Sequence, residues 1–153
     1  MTRPGKDIEH RVETFVRFCR GKGMKVTHQR MEIFGELADS TDHPDAERIF
    51  ARVRKRVASI SRDTVYRTLA TLDDGGLIHR ACAVSGPARF DPNTEPHHHF
   101  VCTACGKIED FVSDKLADLP IPKSVKRFGR VDYSQVQVRG VCSDCLGKEA
   151  RGR

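Results

Sequence analysis

Four cysteines stand as two CxxC pairs, Cys102-Thr-Ala-Cys105 and Cys142-Ser-Asp-Cys145. Thiolates at i and i+3 can reach one ion because a tight turn points both sulfurs inward. Two such pairs close a tetrahedron with no open position, which is the pattern of a structural zinc site. The pairs lie further apart than in a compact zinc ribbon, so the site should staple two ends of a small sheet. A thioredoxin-like redox pair should open a helix after a buried strand, and neither pair does so clearly in the sequence. The other two cysteines, Cys19 and Cys82, fall on the apolar faces of a helix and a strand, where packing is the default role.

A second group of donors surrounds the first pair. His97, His98 and His99 come just before Cys102 in a strand-like segment, so alternation puts His97 and His99 on one face and His98 on the other. Asp110 falls on the next strand, Asp91 in the linker upstream, and His43 in the loop before the third helix. Any one of these has a bland explanation, since a loop histidine is usually solvated. As a set, His43, Asp91, His97, His99 and Asp110 offer mixed nitrogen and oxygen donors. That mixture suits Fe(II), Mn(II) or Zn(II) and disfavours a thiophilic ion.

The third chemical feature is Ser61-Arg62-Asp63-Thr64-Val65-Tyr66-Arg67, which begins the fourth helix. Burying Val65 and Leu69 leaves Arg62, Thr64, Tyr66 and Arg67 exposed. An aromatic and a guanidinium at the start of a major-groove helix can contact a thymine methyl, a guanine edge or a phosphate. The run RVRKR (52–56), with Lys25 and Arg30, adds charge suited to positioning a phosphate backbone. The solvated face of any basic amphipathic helix looks similar, so this feature alone does not decide for DNA.

The elements that must position these groups follow from periodicity. Ile8, Val12, Phe15 and Cys19 recur at helical spacing over 7–20. Thr27 can cap a second helix whose inner face holds Met31, Phe34 and Leu37 with Ala38, and Asp45 a third with Ile49, Val53 and Val57 inside. Ser61 caps the fourth, with Val65, Leu69 and Leu72 as its stripe, and Gly75-Gly76 ends it. Segments 77–84 and 88–91 then read as two strands, giving a winged helix-turn-helix. Beyond residue 93, segments 99–102, 107–111 and 131–142 read as strands, with a short helix near 114–119 and a frayed tail from Lys148. The expected fold class is α+β, with an N-terminal winged helix-turn-helix over 1–85 and a C-terminal α/β domain over 86–153 carrying the four-cysteine zinc site.

Composition is compatible with this. The 153 residues allow one medium or two small domains, and small domains benefit from a metal staple. Lys and Arg outnumber Asp and Glu by 27 to 21, giving a net charge of +6 that suits a nucleic-acid partner without proving one. The N-terminal stretch has no apolar run fit for a signal peptide, and no segment approaches a membrane span. The expected location is cytoplasmic, where thiols stay reduced and six cysteines point to metal rather than disulfides.

In order, KVTHQR (25–30), HPDAERIF (43–50), TVYRTL (64–69), ARFDP (88–92), HHHFVCTACGKIEDF (97–111) and GVCSDC (140–145) resemble the ferric uptake regulator family of metal-dependent repressors. The resemblance spans nearly the whole chain, and 97–111 is its most specific part. It implies a homodimer with N-terminal winged helices on a palindromic double-stranded DNA operator and a C-terminal dimerisation domain. It implies zinc on Cys102, Cys105, Cys142 and Cys145, and regulatory Fe(II) or Mn(II) on His43, Asp91, His97, His99 and Asp110. Lys25, Tyr66 and Arg67 match positions that face DNA in the family. Iron-uptake members usually carry Glu where this chain has Asp91, whereas peroxide-sensing members carry Asp, so the resemblance leans to the peroxide-sensing branch. His28 replaces a common Pro, with no clear consequence. Members with a third metal site place histidines where this chain has Pro96 and Ser134, which leaves His98 without metal partners.

The expected protein is therefore a non-enzymatic, peroxide-responsive repressor, with an iron-uptake repressor as the nearest alternative. A metal-dependent hydrolase would need an open coordination position, a general base and a substrate pocket, and the sequence offers no separate base beside the His/Asp cluster. A zinc-thiolate redox chaperone is the remaining alternative.

Overall fold

The computed structural model describes residues 8–81 and 84–152. The chain divides into two compact units, Met1–Ala81 with Ala88–Thr94, and Cys82–Pro87 with Glu95–Arg153.

The first unit holds α1 (Ile8–Gly21), α2 (His28–Asp39), α3 (Ala46–Arg54) and α4 (Arg62–Asp74), followed by the hairpin strands β1 (His79–Ala81) and β2 (Arg89–Asp91). Three helices start where a side-chain oxygen meets an orphan amide. Thr27 accepts from the Arg30 amide at 3.3 Å, Asp45 from Arg48 at 2.8 Å and Ser61 from Thr64 at 3.1 Å. Each such cap stabilises by about 1 kcal/mol. Gly76, at φ 74°, takes the left-handed turn that stops α4 cheaply. The core joins Phe15 and Cys19 of α1, Ile33 and Leu37 of α2, Ile49 and Val53 of α3, and Val65, Leu69 and Leu72 of α4. The hairpin is antiparallel, with His79 opposite Asp91 and Ala81 opposite Arg89.

Several expectations need correction here. Val12 is exposed, because α1 buries Phe15 and Cys19 and leans Phe18 onto the core instead. The buried face of α2 is Ile33 and Leu37, an i, i+4 pair, which puts Met31 and Phe34 at its margin and leaves Ala38 half-buried. Helix α3 stops at Arg54, and Val57 reaches the core from the turn that follows. Cys82 and the side chain of Ile8 lie outside what is described.

In the second unit β3 (His98–Cys102) is central, antiparallel to β4 (Ile108–Phe111) and parallel to β5 (Gln137–Gly140). A parallel pair needs a long crossover. Residues 112–136 supply it, with single turns α5 (Asp114–Ala117) and α6 (Lys123–Lys126). The strand expected over 131–142 forms only over 137–140, because it can pair only alongside β3. The tail expected to fray is helical, as α7 (Ser143–Arg151). Among the described residues, no helix is long and apolar enough to cross a membrane.

Candidate metal centres and nucleic-acid face

The register of β3 on β5 builds the cysteine cluster. Cys102, the last residue of β3, pairs with Gly140, so the chain leaving β5 delivers Cys142 beside it. The Cys102 sulfur accepts from the Cys142 amide at 3.3 Å and from the Cys105 amide at 3.5 Å. Those amides pull the Cys102 thiol down to about 6. Hydrogen bonding to the Cys142 and Cys105 sulfurs pushes the Cys145 thiol up to about 12. One sulfur from each of the four cysteines lies within 4.8 Å of every other. Zinc–sulfur bonds of about 2.3 Å place tetrahedral sulfurs roughly 3.8 Å apart. Cys105 and Cys142 sulfurs are 3.8 Å apart, so the donor set fits zinc. Contrary to expectation, Cys142 does open a helix, as the N-cap of α7. The gathering of all four sulfurs argues against an isolated redox pair. Cys19 is buried in the core, and burial raises its thiol above the ordinary range.

His98 and His99 of β3, with His97 just before it, alternate in facing as expected, and all three are buried. His97 and His99 bring their Nε2 atoms to 3.0 Å, with the rings edge to face. Asp110, opposite His99 on β4, sets Oδ1 at 3.2 Å from His99 Nε2 and 3.7 Å from His97 Nε2. Two imidazole nitrogens and a carboxylate oxygen thus converge on one point, a nitrogen/oxygen set suited to Fe(II), Mn(II) or Zn(II). The His97 Nδ1 lies 2.7 Å from the Glu95 carbonyl, the backbone contact that commonly orients a metal-binding histidine. His98 faces the other way. Its Nδ1 accepts from the Val136 amide at 3.2 Å and its ring packs against Phe111, which accounts for it without a metal.

In the first unit His43 and Asp91 are both buried, with Nε2 and Oδ2 at 3.5 Å. Their loop and strand are joined by Arg89, which donates to the carbonyls of His43 and Asp42. Sequence reasoning passed over Arg89 because its acceptors lie more than forty residues upstream, with no local periodicity to mark them.

On α4, Tyr66 and Arg67 are exposed, and Thr64 shares the Ser61 cap at 2.9 Å between hydroxyls. Arg62 lies over the Phe50 ring and donates from Nε to Glu47 at 3.1 Å, and the Tyr66 hydroxyl meets the same carboxylate at 3.3 Å. Glu47 was another residue the sequence reading missed. Lys25 is exposed, while Arg30 donates to the Lys25 carbonyl at 2.7 Å. The 52–56 run is less available to phosphate than its charge suggests. Arg52 grips Asp42, and Arg56 pairs with Glu32 and Glu36.

The sequence profile described as "FUR: Ferric uptake regulator family" matches residues 21–134. The chain belongs to the ferric uptake regulator family. The peroxide-responsive repressor PerR of Staphylococcus aureus (strain USA300) is 31% identical over 144 residues, covering 94% of this chain and 97% of that protein. The structure of the Helicobacter pylori ferric uptake regulator Fur superposes with a TM-score of 0.75 at 23% identity, covering 92% of this chain and 95% of that one. A zinc-bound manganese uptake regulator superposes with a TM-score of 0.64 at 30% identity, covering 84% and 98%. Members of the ferric uptake regulator family are DNA-binding transcriptional regulators that act as dimers, and they are not enzymes. The protein is accordingly a metal-dependent regulator. The hydrolase alternative falls with that finding.

Proposed function

We propose that this family member is a cytoplasmic, peroxide-responsive repressor that binds a palindromic operator as a homodimer. Zinc on Cys102, Cys105, Cys142 and Cys145 holds the second unit together. The regulatory ion, Fe(II) or Mn(II), takes ligands from His43, Asp91, His97, His99 and Asp110. The observation that carries this reading is Asp91. It is a buried aspartate beside His43, where iron-uptake members usually have glutamate, in a chain 31% identical to a peroxide-responsive repressor.

An effector must bind the DNA-competent state more tightly than its alternative. His43 and Asp91 would give the ion a hold on the DNA-binding unit, and His97, His99 and Asp110 one on the other unit. Arg62, Thr64, Tyr66 and Arg67 would then face the operator, with Lys25 positioning its backbone. Bound Fe(II) would supply the redox chemistry that opens the peroxide O–O bond, which Mn(II) would not, with one oxygen passing to a ligand imidazole and the other leaving as water. His43 or His97 would take up one oxygen atom, become a poorer ligand, and release the DNA-competent state.

A sensor of metal level is the second reading, favoured by the 30% identity to a manganese uptake regulator. An iron-uptake repressor is its iron-responsive form. Duplexes selected from a random pool by Mn(II)-loaded protein test the switch. Metal-free protein, and His43→Ala or Asp91→Ala protein with full zinc content, should bind the selected duplex at least tenfold more weakly, or about 1.4 kcal/mol. Equal binding by all three would put the switch elsewhere.

A further inference from the structure

His43 is held in a backbone conformation that few residues other than glycine adopt. Its φ of 48° is the only positive value for a non-glycine among the described residues. Left-handed backbone is sterically unfavourable for a residue with a Cβ, so surrounding bonds help to hold it. Two of the restraints on this loop are local. The Asp42 carboxylate takes two bonds from Arg52, at 2.5 and 3.2 Å, and Asp45 caps α3. Further restraints come from β2. Arg89 donates through Nη2 to the Asp42 carbonyl at 2.7 Å and through Nε to the His43 carbonyl. The Phe90 amide donates to the Pro44 carbonyl at 3.0 Å.

Arg89 and Asp91 are two residues apart on one strand and so share a face. Asp91 meets the His43 ring while Arg89 holds the His43 backbone. A ligand set performs only if its side chains are held within about 0.5 Å of the required geometry. A guanidinium suits this task because its rigid fork reaches two successive carbonyls at once, which a lysine ammonium on a flexible stem does not reproduce.

We propose that Arg89 is a positioning residue for the regulatory metal, clamping the 42–43 backbone so that His43 is presented to the same ion as Asp91. The proposal rests on the reading that His43 and Asp91 are ligands. Arg89 would touch neither metal nor DNA.

The test uses the zinc-loaded, full-length protein, titrated with Mn(II) by calorimetry and with Co(II) by visible absorption. Arg89→Ala should weaken Mn(II) binding about 10–100-fold, the usual effect of losing a group that orients a ligand. Arg89→Lys should give an intermediate loss and an altered Co(II) spectrum, because the charge remains while the fork is lost. Zinc content, dimerisation and affinity for a random-sequence duplex should stay at the parent's level in Arg89→Lys, which guards against a folding defect in Arg89→Ala. If His43→Ala and Asp91→Ala lose Mn(II) while both Arg89 variants bind it like the parent, this inference is overturned and the ligand reading stands. If His43→Ala and Asp91→Ala themselves bind Mn(II) like the parent, the ligand reading fails and the role of Arg89 falls with it.

Discussion

Cys102 has the most constrained sulfur of the cysteine cluster. It ends a buried strand, accepts two backbone amides and sits where β3 and β5 part. Amide donors lower the cost of the thiolate that a metal requires. A serine there keeps the shape but loses the soft donor. Because metal binding and folding are linked, Cys102→Ser should lose its zinc and unfold or dissociate the second unit. Metal analysis alongside sedimentation checks this, and a folded, dimeric, zinc-free variant would refute the zinc assignment. The doubled CxxC spacing made this cluster legible in the sequence, since the turn needed for each pair is local. Arg89 and Glu47 were not legible, because each acts on groups distant along the chain.

The proposed recognition element is α4. Its Ser61 cap and the fully buried stripe Val65, Leu69 and Leu72 leave Arg62, Tyr66 and Arg67 on the open side. Both signals are short-range, which is why the start and facing of α4 could be read directly. Elements whose pairing depends on distant partners were read less well. Segment 131–136 looked like strand but lies beyond its partner's end, and the charged tail looked loose but extends α7. Arg67 pairs with Asp63 only at the surface, an i, i+4 contact worth little that DNA can displace. Arg67→Ala should therefore cost about 1–3 kcal/mol on the selected duplex and relax preference at particular bases. Lys25→Ala should weaken all duplexes alike and reduce the salt slope by about 1. Anisotropy titrations over a salt series separate the two effects. Equal, sequence-blind losses would remove the recognition-helix assignment.

At the scale of the whole chain, two units each carry part of the proposed regulatory ligand set. His43 and Asp91 belong to the winged-helix unit, while His97, His99 and Asp110 belong to the sheet unit. Periodicity located the histidine face on β3, because alternation is a local property of a strand. Residue type near the domain boundary grouped His43 with that set, and the family resemblance assigned it as a ligand. Under the proposed function, peroxide acts through this ligand set to release DNA. The most direct measurement is peptide mass spectrometry after low peroxide, on Fe(II)-loaded and Mn(II)-loaded protein bound to its selected duplex. One added oxygen atom should appear on His43 or His97 in the iron-loaded protein, in step with release of DNA, and neither change should occur with manganese. Iron-loaded protein that keeps its duplex with both histidines unmodified would overturn histidine-based peroxide sensing and favour a sensor of metal level. A first modification at Cys102 or Cys142 would contradict it too, and would make the zinc cluster the sensor.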